Sequence, residues 1–185
     1  EADLMGVAED LKRLRYQGEG GDSKANVNRL ERLIGVPLPR DYRDFLLTHG
    51  GGYLDAVSPC KAPNPFDDAI TVTRIHSATE VIDLLDSEVA PRNMICISMG
   101  HDSMTGCLSI AGLDHGRVFA LDVRMRYYWD EETLKNLPHL APSIREFFRL
   151  RDADKLPERP WGYDNCYPMA GSFVEFLSRL RPTGS

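Results

Sequence analysis

Hydrophobic residues recur at helical spacing in the first part of the chain. The first apolar stripe consists of Leu4, Val7, Ala8, Leu11 and Leu14. It predicts an amphipathic helix over residues 3–16, and glycines and acidic residues then predict a flexible link at 17–22. A second helix is predicted between Ser23, a favourable N-cap residue, and Gly35. Its inward-facing residues are expected to be Val27, Leu30, Leu33 and Ile34.

Residues 33–52 predict a helix end, a proline-bounded elbow, a short helix and a glycine stop. Tyr42, Phe45 and Leu46 follow one another at i, i+3 and i+4, which is the spacing of a buried helical face. Pro39 suits the first helical position, because its missing N–H is not needed there. Gly50 suits the left-handed position that ends a helix. We expect the rest of the chain to pack around this helix–elbow–helix.

The next part of the chain predicts a loop, a strand and a helix. Residues 50–65 contain three consecutive glycines and three prolines, which predict a long loop. Residues 70–75 are rich in β-branched side chains and predict a strand. Ser77 and Glu80 then have the spacing of a capping box, which predicts the start of a helix.

Closely spaced apolar runs in the second half of the chain predict an antiparallel meander. The predicted strands cover residues 94–98, 104–110, 117–123 and 124–130. Helices are predicted at 143–151 and after Ser172, with an irregular arm at 152–168 and a fraying end from Pro182. The predicted fold is α+β in a single domain, with an antiparallel sheet of about five to six strands flanked by helices.

Composition indicates an ordinary globular chain. Hydrophobic residues make up 42% and charged residues 27%, and the apolar runs are too short for a membrane helix. The chain opens Glu1-Ala2-Asp3, without a basic and apolar leader. Its four cysteines are far apart, and Cys96 and Cys107 lie in apolar runs, so we expect buried free thiols. These features predict a cytoplasmic protein.

The net charge of −6 is concentrated in one segment. Residues 55–88 carry seven acidic residues against Lys61 and Arg74, a net charge of −5: Asp55, Asp67, Asp68, Glu80, Asp83, Asp86 and Glu88. The absence of a basic stripe argues against nucleic-acid binding. A basic protein partner would suit this segment, since complementary charge speeds association. A merely solvated acidic face is the alternative.

Motifs for catalysis are weak. Cys107 with His101 or His49 could form a nucleophile and base, but Cys107 lies within an apolar strand rather than at a helix start. His101, Asp102 and His115 could form a metal site, although exposed turn residues explain them equally simply. No phosphate-loop lysine follows the glycines. We therefore expect no enzyme activity, cofactor or metal.

Basic and aromatic side chains alternate at residues 124–129, a pattern that single-stranded nucleic acid can favour. Asp130, Glu131 and Glu132 follow at once and would repel phosphate. A half-buried strand is the interpretation that agrees with both observations.

The helix–elbow–helix resembles the signature of the SUKH superfamily, which includes fungal cell-wall-assembly regulators and bacterial toxin-immunity proteins. The matching residues are Glu31, Leu33, Gly35, Leu38, Pro39, Asp41, Tyr42, Phe45 and Gly50 to Gly52. The family pattern has Asn before its glycine pair, where this chain has His49 or Gly50, so the position of the left-handed turn stays open. Residues 97–108, 116–122 and 144–150 resemble later family elements. The resemblance divides the single domain 1–185 into an N-terminal helix and linker at 1–22, a SUKH-like core at 23–151, and an irregular arm with a C-terminal helix at 152–185.

This resemblance implies an α+β binding protein, most often an immunity protein that neutralises a polymorphic toxin. Such toxins are commonly nucleases or deaminases with basic sites, which an acidic surface can occlude. The expected contact residues are Asp67, Asp68, Glu80, Asp83 and Asp86. Two alternatives stay open: a regulatory scaffold of the cell-wall-assembly type, and, less favoured, a hydrolase that uses Cys107 and His101.

Overall fold

A computed structural model of the protein describes residues 2–61, 69–86, 90–91, 93–101, 104–123, 146, 149–150, 152–155 and 166–184. The helices of this part are α1 (Ala2–Arg13), α2 (Lys24–Ile34), α3 (Arg40–Thr48), α4 (Ala78–Asp83) and α5 (Phe173–Arg179). The strands are β1 (Gln17–Gly18), β2 (Gly52–Lys61), β3 (Ala69–Ile75), β4 (Met94–Met99), β5 (Met104–Ser109), β6 (Val118–Asp122), β7 (Cys166–Ala170) and β8 (Arg181–Pro182).

The strands form one antiparallel sheet. From β1 to β7 each strand pairs with the next one along the chain, and β8 pairs with β2. The predicted α+β fold with a helix-flanked antiparallel sheet is therefore confirmed. The described residues contain eight strands, more than the predicted five to six, because β1, β2, β7 and β8 lie in segments that we expected to be loops or irregular.

The predicted loop at residues 50–65 is wrong, because ten of its residues form β2. β2 pairs with β1, β3 and β8. The hydrogen-bond partners of its backbone therefore come from other strands, which the residues of the segment itself do not reveal. Pro59 is tolerated at an irregular part of the β2–β3 register, between Val57 and Lys61. The predicted arm at 152–168 is wrong at its end for a similar reason: Pro168 lies in β7, opposite Phe119 and beside a register shift.

Four other predictions have different outcomes. The expected strand at 124–130 lies outside the described residues, as does most of the helix expected at 143–151. The expected fraying from Pro182 is wrong for Pro182 itself, which pairs with Ala56. The expected flexible link at 17–22 is wrong for Gln17 and Gly18, which form β1.

The helix–elbow–helix is confirmed. α2 begins at Ser23, whose hydroxyl accepts a hydrogen bond from the Asn26 N–H, and it ends at Gly35 with φ 76°. The Glu31 carboxylate reaches back over the elbow, where it accepts from the Leu38 N–H at 3.0 Å and pairs with Arg43 at 3.2 Å. One side chain of α2 thereby fixes the start of α3, which begins directly after Pro39.

The main core lies where α1, α3 and α5 meet the sheet. Tyr42, Phe45 and Leu46 are all at most 2% exposed, as predicted. The ring of Phe173 lies 4.9 Å from that of Tyr42 and 4.8 Å from that of Phe45. In α2, by contrast, Leu33 is 56% exposed, because it lies off the stripe of Val27, Leu30 and Ile34. Burial of Leu33 was therefore a wrong expectation.

α5 is held at both ends by helices from the start of the chain. The Asp41 carboxylate of α3 accepts from the Val174 N–H at 3.1 Å, in the first turn of α5. At the other end, the Arg13 guanidinium of α1 donates to the carbonyls of Leu177 and Ser178, each at 3.2 Å, and to that of Leu180. These bonds satisfy groups that a helix end leaves without a partner.

A second buried cluster includes Met94, Cys96, Cys107, Phe119, Leu121 and Cys166. The predicted burial of Cys96 and Cys107 as free thiols is confirmed. They are direct cross-strand partners of β4 and β5, and their sulfurs are 3.8 Å apart. These thiols therefore pack as small apolar side chains inside the sheet.

Candidate functional site

Helix α4 and the turn at its C-terminal end carry three of the five predicted contact residues. The start of α4 is a capping box: the Ser77 hydroxyl accepts from the Glu80 N–H, and the Glu80 carboxylate accepts from the Ser77 N–H at 2.8 Å. The other Glu80 oxygen accepts from the Arg74 Nε at 2.7 Å. Glu80 is therefore engaged inside the molecule on both oxygens.

Asp83 and Asp86 differ from Glu80 in their surroundings. Both are exposed, and neither forms a hydrogen bond or an ion pair within the part of the chain that the structure describes. We call these two residues the acidic α4 surface. Asp67 and Asp68 lie outside the described residues. Of the predicted set, the structure thus brings together Glu80, Asp83 and Asp86 on one short helix and its C-terminal turn.

Arg74 is the centre of the charge arrangement beside α4. It is only 8% exposed, and its two terminal nitrogens donate to the two carboxylate oxygens of Glu19, at 3.1 and 3.0 Å. Its third contact is Glu80, and the ring of Tyr53 lies 4.2 Å from the guanidinium carbon. We call Glu19, Tyr53, Arg74 and Glu80 the Arg74 cluster.

The electrostatics of the Arg74 cluster follow from this geometry. Hydrogen bonds to Glu19 and Glu80 raise the pKa of Arg74 above its ordinary value, so its charge is permanent. Burial alone would raise the pKa of Glu80, but hydrogen bonds from Arg74 and Ser77 bring it below its usual value. Nearby Asp22 has a raised pKa because it is partly buried, although its carboxylate accepts from the Ala78 N–H at 3.1 Å. Two carboxylates, those of Glu19 and Glu80, thus bind one guanidinium.

Sequence reasoning missed the Arg74 cluster. Arg74 stands in an otherwise apolar and threonine-rich strand, and that isolated charge was the available signal. Its partners are separated from it in the chain, since Glu19 belongs to the segment expected to be a flexible link. The segment is ordered there: the Glu19 N–H donates to the Gly51 carbonyl at 2.9 Å.

A groove of about 670 Å³ lies between α1, α3 and α5. Val7, Phe45 and Val174 give it apolar walls, and Asp41 and Glu175 lie at its rim. These two carboxylates are occupied in helix capping: Asp41 accepts from the Val174 N–H, and Glu175 accepts from the Gly171 N–H at 2.6 Å. The rim charges therefore serve the junction of the helices.

The residues considered for catalysis are not arranged as a site. Cys107 is completely buried in the sheet, whereas His101 and His115 are exposed in turns. Asp102 lies outside the described residues. Burial alone lowers the pKa of His49, which packs against the ring of Phe45 at 5.5 Å. The hydrolase alternative therefore lacks a nucleophile that a substrate can reach.

Two further features concern the described residues alone. No three of their His, Cys, Asp and Glu side chains are grouped so that they could hold a metal ion. None of their helices has the length and apolar character needed to cross a membrane.

Comparison with protein families matches the chain to the SMI1 / KNR4 family (SUKH-1) over residues 22–150. This covers more than half of the chain. The protein belongs to the SMI1 / KNR4 family. No curated protein matches the chain. Membership in the SMI1 / KNR4 family supports a non-catalytic binding role of the immunity or regulator type, and it confirms the resemblance drawn from the helix–elbow–helix.

The position that departs from the SUKH pattern is explained by the backbone. His49 has φ −117°, and Gly50 takes the left-handed turn with φ 65°. A Cβ on Gly50 would lie 2.0 Å from the Gly20 carbonyl oxygen, and one on Gly51 would lie 2.6 Å from the Ser77 nitrogen. In this SMI1 / KNR4 member the glycines therefore allow close packing against the linker and the start of α4.

Proposed function

We propose that this protein is a cytoplasmic immunity protein that binds a basic toxin domain, of the nuclease or deaminase class, and occludes its active site. Family membership supports the binding role. The observation that carries the toxin proposal is the acidic α4 surface, where Asp83 and Asp86 are exposed and unengaged among the described residues. Unengaged carboxylates can pair with lysines and arginines of a partner without first losing an internal bond.

Binding would proceed by electrostatic steering followed by occlusion. A negative surface on the protein and a positive cleft on the toxin attract each other over about 8–10 Å at moderate salt, which raises the association rate. Stoichiometric contact then excludes the nucleic acid or nucleotide substrate from the cleft. Glu80 contributes to the field, but its main role is to hold α4 and Arg74 in place.

The experiment uses the toxin domain encoded beside this gene, purified separately, as the probe. Association rates are measured for the wild type, for Asp83→Lys with Asp86→Lys, and for Glu9→Lys on α1 as the control at an exposed position. We expect the double reversal to slow association at least about tenfold at low salt and to flatten its salt dependence. The control should stay close to the wild type.

Two outcomes would contradict the proposal. Tight binding that the double reversal leaves unchanged would remove the acidic α4 surface from the interface. A neighbouring gene without a toxin, or a toxin that the protein neither binds nor inhibits, would favour the regulatory scaffold instead. Inhibition is measured as the loss of toxin activity at equimolar protein.

A further inference from the structure

Three side chains form a row across the sheet beside α4. In the strand register Tyr53 of β2 pairs with Arg74 of β3, and Arg74 pairs with Met99 of β4. Directly opposed residues of an antiparallel sheet project from the same face. Tyr53 is 53% exposed and Met99 is 46% exposed, whereas Arg74 between them is almost buried. Two large apolar side chains therefore stand exposed on the same face of the sheet, on either side of Arg74.

Arg74 orders the Tyr53 end of this row. Its guanidinium is fixed by Glu19 and Glu80, and the Tyr53 ring lies against it at 4.2 Å. A ring stacked on a fixed cation has less freedom to lose when a partner covers it. Tyr53 is therefore presented in an ordered position, although more than half of its surface faces solvent.

The charges around the row are mostly negative. The Glu19 side chain is 51% exposed and retains lone pairs that Arg74 does not occupy. Asp83 follows Glu80 by three residues, so it lies on the same side of α4 one turn further on. Arg74 carries one positive charge, whereas Glu19, Glu80 and Asp83 carry three negative charges, so the rim is net negative. Charge complementarity then selects a basic partner surface.

We propose that Tyr53 and Met99 form the apolar centre of the interface. An apolar side chain on the partner's basic surface packs against these two residues. Lysines or arginines around that side chain face Glu19 and the acidic α4 surface. Tyrosine, methionine and arginine are enriched in interface cores, and a few such residues carry most of the binding energy. This proposal rests on the proposed function and adds its central contact, because charge alone steers a partner but seldom determines affinity.

The test uses the full chain and a defined probe, a short lysine-rich peptide with one central leucine. A second peptide replaces the leucine with serine. We expect the leucine peptide to bind more tightly and to shift the NMR signal of the Met99 methyl group. Tyr53→Ala and Met99→Ala should each raise its Kd at least about fivefold. Tyr53→Phe, which keeps the ring, should bind as the wild type does.

Matched controls come from exposed leucines elsewhere in the molecule. Leu33→Ala and Leu113→Ala remove comparable exposed apolar groups, at 56% and 109% exposure, and should leave the Kd unchanged. Circular dichroism identifies any variant that is not folded, and Met99→Ala tests the row independently of the Arg74 cluster.

The proposal is overturned if both peptides bind equally, if neither binds, or if Tyr53→Ala and Met99→Ala bind like the wild type. A particular pattern separates this failure from that of the proposed function. If reversal of Asp83 and Asp86 weakens toxin binding while changes at Tyr53 and Met99 have no effect, the acidic surface is retained and the apolar centre is rejected.

Discussion

Replacing Asp41 tests whether the family-signature aspartate holds α5 in place. Its two carboxylate oxygens accept separate hydrogen bonds, from the Tyr42 N–H at 2.9 Å and from the Val174 N–H at 3.1 Å. Loss of a helix-capping acceptor costs about 1–2 kcal/mol, and the bond to Tyr42 adds less, because water can reach this partly buried position. We expect Asp41→Ala to lower the free energy of unfolding by about 2 kcal/mol, or Tm by about 4–8 °C.

The assay is urea denaturation followed by circular dichroism, with two comparison variants. Asp41→Asn keeps one acceptor oxygen, so we expect about half of the loss, or ~1 kcal/mol. Asp44→Ala removes a carboxylate on the same helix. Among the described residues its one ion pair is a loose one with Arg40 at 3.8 Å, so its loss should cost less than about 0.5 kcal/mol. Equal stability of Asp41→Ala and Asp44→Ala would refute the capping role.

Two further predictions concern Gly50 and His76. Gly50→Ala should lower the free energy of unfolding by more than about 3 kcal/mol, because φ is 65° and the new Cβ would lie 2.0 Å from the Gly20 carbonyl oxygen. Gly35→Ala is the control: φ is 76° there but the space is open, so it should cost only about 1–2 kcal/mol in the same denaturation assay. Equal losses for the two variants would contradict the packing argument. Burial lowers the pKa of His76, whose ring nitrogens have no hydrogen-bond partner among the described residues. Since the unfolded chain binds this proton near pH 6.5 and the folded chain does not, stability should fall by up to about 1.4 kcal/mol per pH unit below that value. His76→Leu should make the free energy of unfolding depend less on pH in this range. Urea denaturation of both proteins above and below pH 6.5 measures this, and the same pH dependence in the variant and the wild type would contradict the prediction.

Local signals in the sequence predicted the helices well. Ser23, Gly35, Gly50 and Ser77 act through hydrogen bonds and backbone angles within a few residues, so their roles follow from spacing alone. β2 was missed because the glycines and prolines that usually indicate a loop here allow close approach and tolerate an irregular register. Two of its three pairing partners, β1 and β8, belong to other parts of the chain, and no local pattern indicates them.

The candidate site shows the same division. Composition identified the acidic segment, and the capping box predicted that Glu80 begins α4. The other oxygen of Glu80 binds Arg74. This contact depends on how β3 packs beside α4, which residue spacing in the sequence does not reveal. The row of Tyr53 and Met99 depends on the register of three strands. Residue types alone thus indicated the charge of the surface, whereas its apolar centre could be identified only from the strand register.

The double attachment of α5 has a consequence for synthesis on the ribosome. α1 and α3 contribute the groups that bind the two ends of α5, and the ring of Phe173 fills the space beside Tyr42 and Phe45. Residues 49–172 must be translated before that ring exists, which takes roughly 6–25 s at about 5–20 residues per second. During this interval Tyr42 and Phe45 lack the ring that covers them in the finished protein, so this part of the core can be completed only when most of the chain has been made.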